Sequence, residues 1–529
     1  MTVELASVIS EAQVRWSGIL RTSTGDGARG TGEIECQGDL LPELSGWLVS
    51  QLGYSFGGLI VEQRHRWELR YVFYGDRAAG WIHLVAHYPP SQQAVPSIST
   101  MVHAADWHER EAEDLFGLTF EGHPRLGDFV LHNDVRQEGV APMRRNFDTH
   151  RRLEDRQPDK NWRPRRIVHE EGAFLMPIGP IHSAATGPVY FSLETVGEDV
   201  IRAQPRLFYA YRGLEKIAEG RPAQDALLIA ERLSGTSAFA HSLAVCQAVE
   251  AICAIKVPQR AQILRVFLAE LERFRHHAAA VHGICESTGL AVGASQTAIL
   301  EEELLRLSGA LCGHRYLFGI NVLGGLSIDF DDVVLRKTVA DAQNVLQRLV
   351  NLQRMPSISS SFLDRLEECG SVAASDANAF GMVGPTARAS SVSRDLRAAH
   401  PYASYEKFSF KVPYESEGDG YARLRLLFSE AEQSVSLMAQ ACDMMPGGPV
   451  RVPEARFGSG AALGWVEAPS GAALHWIRLR DEGVIDRYRL ITPSFANWHG
   501  FRLAAEKFAF QDFPIILATF ALSVPENDR

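Results

Sequence analysis

The chain has 529 residues, of which 46% are hydrophobic and 22% are charged, and its formal net charge is −11. A chain of this length exceeds what one hydrophobic core usually supports, so we expect two or more domains in an ordinary globular protein. The acidic balance argues against nucleic acid as a partner. The seven cysteines include no C-x-x-C pair, which disfavours a disulfide framework and favours a reducing compartment.

The sequence shows no segment that we expect to cross a membrane. Its first residues, MTVELASVISEAQVRW, lack the basic and apolar regions of a signal peptide. The longest apolar run, FPIILATFALSVP at 513–525, is too short to span a bilayer. Any attachment to a membrane is therefore expected to come through other chains.

Residues 1–150 have the pattern of a small mixed α and β domain. LPELSGWLVSQLG at 41–53 has helical spacing of its apolar residues and ends at a glycine. WELRYVFYG at 67–75 and GWIHLVAHY at 80–88 alternate large and polar residues on either side of a short connection, which predicts a β-hairpin.

An acidic segment follows at 103–126. Its candidate ligands or acid–base residues are His103, His108, Glu109, Glu111, Glu113 and Asp114. One interpretation is a metal or acid–base site. The other, which the sequence favours, is a charged amphipathic helix that turns Trp107, Leu115 and Phe116 inward and ends at Gly117.

A basic segment separates this region from the rest of the chain. RRLEDRQPDKNWRPRR at 151–166 has seven basic and three acidic residues and almost no apolar ones. Such a segment cannot bury itself, so we interpret 151–170 as a linker. Its charge would either bind a partner or belong to a solvated connector that lies against acidic neighbouring segments.

The second part of the chain is richer in helix. SAFAHSLAVCQAVEAICAIKVP at 237–258 predicts a helix with Thr236 or Ser237 as its N-cap and Pro258 as its end. Two strands and three more helices are predicted at 172–180, 189–199, 261–290, 298–318 and 332–354. Long apolar helices in succession indicate a buried helical bundle.

Several motifs resemble two related families of respiratory enzyme. WHEREAEDLFGLTFEGHP at 107–124, followed by PMRRNF at 142–147, resembles the smaller, 30-kDa-type member of a pair of hydrophilic complex I subunits. The second part resembles the larger, 49-kDa-type member and also the large subunit of membrane-bound nickel–iron hydrogenases of the formate hydrogenlyase type. The segments that carry this resemblance are GPIHSAATG (179–187), FYAYRGLEKIAE (208–219), VGPTARASSVSRDLR (383–397), PGGP (446–449), EAPSGAALHW (467–476) and DFPII (512–516).

The fusion of both parts in one chain resembles the formate hydrogenlyase large subunit more than the separate complex I pair. The resemblance implies an α+β N-terminal domain at 1–150 and a basic linker at 151–170. At 171–529 it implies a mainly α-helical domain, like that of the hydrogenase large subunit, with a small peripheral antiparallel β-sheet.

The stretch ERLSGTSAFAHS at 231–242 lies where these hydrogenases carry C-G-x-C followed four residues later by a histidine. Ser234 and Ser237 stand at the two cysteine positions, Gly235 keeps the glycine, and His241 matches the histidine. The resemblance therefore implies that the first pair of nickel-binding thiolates is missing.

The second hydrogenase motif corresponds by position to ALSVPE at 521–526, which puts Ser523 and Glu526 where two further cysteines would stand. A nickel–iron centre needs soft thiolate ligands, which serine hydroxyls do not replace. We therefore predict that the chain holds no metal. A repurposed site for a hard metal, made by the serines and His241, is the alternative.

In complex I, a quinone head group sits between a histidine of G-P-x-H-P-x-x-H-G and a tyrosine. The resemblance implies a quinone site at the matching positions of this chain. His182 matches the first histidine of this motif, whereas the second is Thr186 and the tyrosine position is Gly235. Quinone therefore stays a candidate ligand, although two of its expected contacts have changed.

Glu215 and His241 remain as candidate proton-relay residues. Glu215 lies in R-G-L-E, which in the hydrogenases supplies a glutamate proposed to carry protons, and a buried carboxyl can have the raised pKa that such a role needs. The alternatives are that Glu215 only pairs with an arginine such as Arg212 or Arg232, and that His241 is a hydrogen-bonded core histidine.

We expect the candidate residues to converge on one cavity, because the backbone frame that joins them in both families is retained. They are His182, Thr186, Glu215, Ser234, Gly235, Ser237, His241 and Ser523. The hydroxyl groups among them predict a polar lining that would hold water or a polar head group.

Three functions are open. The first is a peripheral-arm subunit of a membrane-bound NADH:quinone oxidoreductase- or hydrogenase-related complex, which docks an iron–sulfur small subunit and forms a redox or coupling cavity. The second is a non-catalytic scaffold in a complex with antiporter-like integral membrane subunits, and the third, disfavoured by the missing cysteines, is an active hydrogenase. In the first two, the chain binds no cofactor itself and lies on the cytoplasmic side of the inner or cell membrane.

Overall fold

The computed structural model describes residues 4–24, 30–75, 79–132, 139–150, 163, 166–169, 171–182, 187–358, 360–452 and 456–529. These residues form two compact units. The first comprises Met1–His169, Arg206–Tyr211 and Asn378–Gly381, and the second comprises Glu170–Pro205, Arg212–Ala377 and Met382–Arg529. Most of the predicted linker at 151–170 lies outside the described residues.

The first unit is built on a mixed β-sheet. Its elements are α1 (Leu5–Arg15), β1 (Ile19–Thr24), β2 (Thr31–Cys36), α2 (Leu41–Ser50), β3 (Ser55–Gln63), β4 (Trp67–Tyr74), β5 (Trp81–Tyr88), β6 (Ala94–Pro96), α3 (Asp106–Phe116) and β7 (Thr119–Glu121). The sheet order is β1-β2-β5-β4-β3, in which β2 and β5 are parallel and the other neighbours antiparallel. The predicted hairpin is confirmed as β4 and β5, whose register runs from Trp67 opposite Tyr88 to Tyr74 opposite Trp81.

The acidic segment forms α3, which ends at Gly117 in a left-handed conformation as predicted. Trp107, Leu115 and Phe116 are buried as predicted, but the acids Glu109, Glu111 and Asp114 are buried as well. Asp114 accepts hydrogen bonds from the backbone N–H groups of residues 129–131 at 2.8 to 3.2 Å. Glu109 accepts one from the hydroxyl of Tyr71 at 3.1 Å. The acids hold neighbouring segments in place, which compensates the cost of burying them.

The second unit is mainly helical and carries small antiparallel sheets, as predicted. Its strands are β8 (Ala173–Ile178), β9 (Tyr190–Val196), β10 (Asp199–Arg206), β11 (Asn321–Val322), β12 (Gly325–Leu326), β13 (Gly460–Ala468), β14 (Gly471–Arg480), β15 (Val484–Ile491) and β16 (Phe508–Ala509). Its helices are α4 (Leu214–Ala218), α5 (Ala223–Glu231), α6 (Ala238–Ile252), α7 (Gln259–Ser287), α8 (Ala291–Cys312), α9 (Asp332–Ile358), α10 (Ser360–Leu363), α11 (Ala374–Ala379), α12 (Gly384–Arg388), α13 (Leu396–Ala399), α14 (Gly420–Asp443), α15 (Pro493–Ala504), α16 (Phe513–Phe520) and α17 (Val524–Asn527). Among the described helices, none combines the length and the apolar character needed to cross a bilayer.

Helix α6 is the central element of this unit. It is buried on all sides, since every residue from 238 to 250 is buried. The predicted end at Pro258 is wrong: the helix ends at Ile252, because Ala254 turns into a left-handed conformation with φ of 51°. Pro258 instead precedes the first residue of α7, where its fixed φ suits a helix start.

The sheet β13-β14-β15 packs against α6. The approach is close at Gly464 of β13, where a Cβ atom would overlap the carbonyl oxygen of Ala244 in α6. In the antiparallel register of β13 and β14, Gly464 lies opposite His475. The glycine therefore lets the helix come near enough to contact the side chain of that histidine.

Buried ion pairs connect α7, α12 and α14. Arg388 contacts Glu430 at 2.7 Å and Glu467 at 2.8 Å, and His277 lies 3.0 Å from Glu430. All four side chains are almost wholly excluded from solvent. Such groups are tolerated inside a protein only when each has a partner, so this network fixes how the helices pack.

Candidate functional site

Two segments that are far apart in the sequence meet at the start of α6. Ser234 and Ser237 lie just before this helix, and Ser523 and Glu526 lie at the start of α17. The Oγ atoms of Ser234 and Ser523 are 3.4 Å apart, and the hydroxyl of Ser237 donates to Oε1 of Glu526 at 2.6 Å. We call these four residues the serine–carboxylate cluster.

Glu526 is the fully buried centre of this cluster. Its carboxylate accepts hydrogen bonds from Ser237, from Nε2 of His241 at 3.0 Å, and from the hydroxyl of Ser494. Burial would raise the pKa of Glu526, but these donors, led by His241, hold it below its ordinary value. The group is therefore an ionised carboxylate whose charge is compensated by internal hydrogen bonds.

The hydroxyl of Ser237 reaches Glu526 because another residue caps α6. Ser237 occupies the predicted N-cap position, but its side chain makes no cap hydrogen bond. Instead, Glu272 of α7 accepts hydrogen bonds from the backbone N–H groups of residues 239 and 240 at 2.7 and 2.9 Å. Burial raises the pKa of Glu272 to about 7.

His241 connects the cluster to the sheet beneath α6. Its Nδ1 atom lies 2.9 Å from Nε2 of His475 on β14, and Nδ1 of His475 lies 2.7 Å from the hydroxyl oxygen of Tyr488 on β15. All of these side chains are buried. Tyr488, His475, His241 and Glu526 thus form one continuous line of hydrogen bonds, which we call the buried chain.

The direction of these hydrogen bonds follows from their donors. Among the described residues, the Tyr488 hydroxyl has no other hydrogen-bond partner, so its proton is satisfied by donation to Nδ1 of His475. His475 then donates from Nε2 to His241, which donates from Nε2 to Glu526. Burial keeps the pKa of His475 well below its ordinary value and that of Tyr488 well above. Both groups are therefore neutral near neutral pH.

Glu215 lies at the other end of the buried chain. Its Oε1 atom accepts hydrogen bonds from Arg489 at 3.0 Å and from the backbone N–H of Leu490 at 2.9 Å, and Nε of Arg529 is 3.5 Å away. Its negative charge adds to burial in raising the pKa of Tyr488. Glu215 is thus an ion-paired carboxylate next to the sheet.

The arginines that the sequence suggested as partners of Glu215 have other contacts. Arg212 donates to the backbone carbonyl oxygens of Arg232, Leu233 and Pro525. Arg232 is largely exposed and lies 3.7 Å from Glu231. The suggested partners Arg212 and Arg232 are therefore wrong. Glu215 does pair with an arginine, but that arginine is Arg489.

The positions that match the quinone motif are partly described. His182 packs edge-on against Phe191 with ring centroids 5.7 Å apart, and burial lowers its pKa. In the described part of the chain, its Nε2 atom is buried and has no hydrogen-bond partner. Thr186 lies outside the described residues.

Gly235 lies beside an aromatic ring from another segment. A Cβ atom at this position would contact the ring of Tyr316 at 3.4 Å, and the Gly235 carbonyl oxygen accepts a hydrogen bond from Arg275 at 3.0 Å. Of the eight residues expected on one cavity, those that the structure brings together by direct contact or through Glu526 are Ser234, Ser237, His241 and Ser523.

A small cavity with both polar and apolar lining residues lies next to α7. Its polar lining comes from His276, Thr386, Arg423, Ser470 and Thr519. About 10 Å³ is open to the centre of a water molecule, which is room for roughly one water. Burial and His277 lower the pKa of His276 to about 3, against the opposing charge of Glu526. None of the residues that we expected on a cavity lines this one.

The described residues offer no preformed metal site. No three His, Cys, Asp or Glu side chains in this part of the chain are arranged to hold a metal ion. All seven cysteines are free thiols. Burial raises the pKa of Cys36 and Cys369 to about 12, so these thiols stay protonated at neutral pH.

Three residues of this arrangement, His475, Tyr488 and Ser494, were missed by sequence reasoning. His475 lies in EAPSGAALHW, a segment that contributes to the resemblance. The available signal was a histidine in an otherwise apolar strand, because a polar side chain in such a place needs a partner. Nothing in the sequence around Tyr488 or Ser494 marks them.

Three protein families match parts of the chain. Residues 38–152 match the 30 Kd subunit of respiratory-chain NADH dehydrogenase, and residues 294–460 match the 49 Kd subunit. Residues 212–282 match nickel-dependent hydrogenase, and this stretch includes Ser234, Ser237 and His241.

Similar proteins cover most of the chain. Formate hydrogenlyase subunit 5 of Escherichia coli K12 is 31% identical over 462 residues, which are 85% of this chain and 79% of that protein. Hydrogenase-4 component G of the same organism is 30% identical over 451 residues, 85% of this chain and 78% of that protein. The C/D subunit of NADH-quinone oxidoreductase from Bdellovibrio bacteriovorus is 32% identical over 364 residues, 66% of this chain and 64% of that protein. The chain therefore belongs to the oxidoreductase family that unites the 30 Kd and 49 Kd subunits of complex I with the large subunits of formate-hydrogenlyase-type hydrogenases.

Proposed function

We propose that this protein is a nickel-free coupling subunit in the peripheral arm of a membrane-bound oxidoreductase complex. The observation that carries the proposal is the serine–carboxylate cluster. It stands at the positions where the resemblance puts nickel-binding cysteines, and its side chains hydrogen-bond to one another and to neighbouring residues.

The residues at these positions do not fit a nickel–iron centre. Three of the four carry hydroxyl groups, which stay protonated at neutral pH and are not soft ligands. The fourth, Glu526, is the one ionised group of the cluster, and Ser237, His241 and Ser494 already donate to its oxygens. A hard metal would have to displace these donors, so the same contacts argue against the alternative metal site.

The proposed partners are an iron–sulfur small subunit and antiporter-like integral membrane subunits, on the cytoplasmic side of the membrane. The names of the relatives describe each as a subunit or component, which supports an assembly. In the second unit, Phe174 is 65% exposed and Ile181 is 90% exposed. We propose that another chain covers these two side chains.

The proposed complex uses cofactors that this chain does not bind by itself. Electrons would pass through an iron–sulfur cluster in the small subunit, and quinone is the proposed acceptor. His182 supports a contact with quinone, because its buried Nε2 atom lacks a partner among the described residues and is available for a hydrogen bond to a quinone oxygen. Thr186 and Gly235 complete the proposed lining.

A non-catalytic scaffold is the second candidate. The closed cluster favours it, because Ser237, His241 and Ser494 already donate to the carboxylate of Glu526. The two functions differ in how the assembled complex responds to His241→Gln. Unchanged electron transfer to a quinone would support the scaffold, and slowed transfer with intact assembly would support the coupling role.

The assembly is tested by purifying a tagged chain from membranes of cells that make it at native levels. We expect an iron–sulfur protein and integral membrane proteins in stoichiometric amounts, and a cluster signal in electron paramagnetic resonance that disappears when the small subunit is deleted. Recovery of the chain alone, as a monodisperse monomer without iron, would overturn the proposal.

A further inference from the structure

A closed set of charged side chains joins α7, α12, α13, α14 and β13 in the core of the second unit. No member is more than 4% exposed, and we call the set the buried ion network: Arg273, Arg388, Arg397, Glu270, Asp395, Glu430 and Glu467. Arg388 contacts Glu430 at 2.7 Å and Glu467 at 2.8 Å. Arg397 contacts Asp395 at 2.7 Å and Glu270 at 3.0 Å. Arg273 lies 3.4 Å from Glu270, so three guanidinium groups face four carboxyl groups.

The network has one carboxyl group more than it has positive partners. If all four carboxyl groups were ionised, one negative charge would stay uncompensated in a place that water does not reach. Such a charge is costly, and a buried carboxyl group in that position takes up a proton instead. Either one carboxyl group is therefore neutral, or a further positive group is present.

His277 is the side chain that would supply a further positive charge, because its Nε2 atom lies 3.0 Å from Glu430. Its Nδ1 atom lies 3.4 Å from Nδ1 of His276. A neutral imidazole satisfies both contacts, since Nε2 donates to the carboxylate and Nδ1 accepts from His276. Burial also lowers the pKa of His277. His277 is therefore neutral, and the extra proton belongs on a carboxyl group.

Three of the four carboxyl groups are held in their ionised form by several donors each. Two nitrogens of Arg388 lie 2.7 and 2.9 Å from Glu430. Two nitrogens of Arg397 donate to Asp395 at 2.7 and 3.1 Å. Glu270 accepts hydrogen bonds from Arg397 and from two hydroxyl groups. These donors hold the pKa of each of the three below its ordinary value despite burial.

Glu467 has fewer donors. Its Oε1 atom accepts from Nη1 of Arg388 at 2.8 Å, and that nitrogen also donates to the backbone carbonyl oxygen of Arg394 at 3.0 Å. Its Oε2 atom accepts from the backbone N–H of Leu396 at 3.0 Å. In the described part of the chain, no further hydrogen bond reaches this carboxyl group. One shared charged donor stabilises the ionised form less than the donors of the other three carboxyl groups do.

The other groups around Glu467 do not compensate its charge. Arg273 donates to the backbone carbonyl oxygen of Glu467 at 2.6 Å rather than to its carboxyl group. The hydroxyl of Tyr402 accepts from the backbone N–H of Glu467 at 3.0 Å. The neighbouring Asp395 carries a charge of the same sign. Burial, followed by the charge of Asp395, raises the pKa of Glu467.

We propose that Glu467 is a proton-binding site in the core of the second unit and that the site is occupied at neutral pH. The proton comes from water before the side chain is buried, and it converts the carboxylate into a neutral carboxyl group, so three carboxylates face three guanidinium groups. Because Arg388 contacts both Glu467 and Glu430, loss of this proton changes the charge balance where α12, α14 and β13 meet. Proton binding is therefore linked to the packing of these elements. The use of the site in coupling rests on the proposed function, whereas its occupancy does not.

Infrared spectroscopy of the full chain, with any partners that co-purify, detects a protonated carboxyl group by its carbonyl stretching band. The measurement is made at about pH 8, where Glu109 and Glu272 are largely ionised, because burial raises the pKa of each only to about 7. We expect Glu467→Gln to remove a carboxyl band. Glu432→Gln, at an exposed position of α14, is the control and is expected to leave this region of the spectrum unchanged. A spectrum of Glu467→Gln that has lost no carboxyl band would overturn the proposal.

Unfolding in urea compares Glu467→Gln with Glu430→Gln. An amide imitates a neutral carboxyl group, so Glu467→Gln is expected to lower the midpoint only slightly, through its contact with the backbone N–H of Leu396. Glu430→Gln removes a charge that Arg388 and His277 contact, and it is expected to lower the midpoint several-fold more. An equal or larger decrease for Glu467→Gln, or a failure of that variant alone to fold, would refute a neutral Glu467.

Nuclear magnetic resonance of ¹⁵N-labelled histidines in the wild-type protein tests where the proton resides and needs no variant. We expect a neutral His277 with its proton on Nε2, and an imidazolium at His277 would contradict the assignment of the proton to Glu467. None of these readouts requires a partner subunit, nickel or an electron acceptor. An ionised Glu467 therefore leaves the proposed assembly standing, and a failed assembly leaves the proton-binding site standing.

Discussion

The Nδ1 atom of His241 lies 2.9 Å from the Nε2 atom of His475, although 234 residues separate them in the sequence. This contact depends on the distance between α6 and β13, which Gly464 permits because it has no side chain. A glycine in a strand usually weakens it, so its presence here fits a close approach of two backbones. The geometry of the site is thus set by packing as much as by its polar residues.

Gly464→Ala is expected to destabilise the second unit by about 3 kcal/mol, because the new methyl group would overlap the backbone of α6. Chemical denaturation monitored by hydrogen exchange of α6 measures the loss. Gly447→Ala is the matched control, since a Cβ atom there meets nothing within 4 Å. Equal stability of the two variants would show that the close approach at Gly464 is not required.

Ser237→Ala is expected to cost about 2 kcal/mol of unfolding free energy, because it removes a hydrogen bond to a buried carboxylate. Ser234→Ala is expected to cost less than about 1 kcal/mol, since the contacts of Ser234 are with neutral hydroxyls. Thermal or urea unfolding of both variants gives the comparison. A larger loss for Ser234→Ala would contradict the assignment of Glu526 as the charged centre of the cluster.

Much of the fold follows from the sequence, and the contacts of the site do not. The helix predicted at 261–290 is α7 (Gln259–Ser287), because its apolar residues keep the helical period over eight turns. The arginines predicted to pair with Glu215 were wrong. Its partner is Arg489, which lies 274 residues away in the sequence, and local patterns do not report such contacts. Glu526 was aligned only by position, and its role became clear when the structure placed it against Ser237 and His241.

The first unit is expected to lose stability as the pH rises from about 4.5 to about 7. Burial raises the pKa of Glu109 to about 7, from 4.5 for an exposed glutamate. The folded state then binds this proton more tightly than the unfolded state, so the stabilisation is complete below the unfolded pKa and lost as the pH rises through the folded one. The change is on the order of 3 kcal/mol. Hydrogen exchange of β4 and β5 amides across this range measures it.

Glu109→Gln should remove this pH dependence, because the amide does not titrate. The variant should be less stable than the wild type at the acidic end of the range, since the amide cannot reproduce every hydrogen bond of the protonated carboxyl. An equally steep pH profile in the variant would assign the dependence to other groups.

Ile181→Ser and Phe174→Ser are expected to reduce self-association of the isolated chain and to weaken its recovery with partner subunits. Both side chains are apolar and largely exposed in the second unit. Val14→Ser is the control, because Val14 is also 90% exposed but lies in the first unit. Light scattering and co-purification provide the two readouts. Unchanged co-purification with all three variants would place the partner on a different surface.

The nickel content of the purified complex is the most direct test of the central claim. The complex should be isolated from cells grown with added nickel, and its metals measured by mass spectrometry alongside a hydrogen-dependent dye-reduction assay. Because hydroxyls and an internally hydrogen-bonded carboxylate replace the thiolates, we predict nickel far below one atom per chain and no hydrogen-dependent reduction. Stoichiometric nickel, or dye reduction that requires hydrogen, would contradict the account.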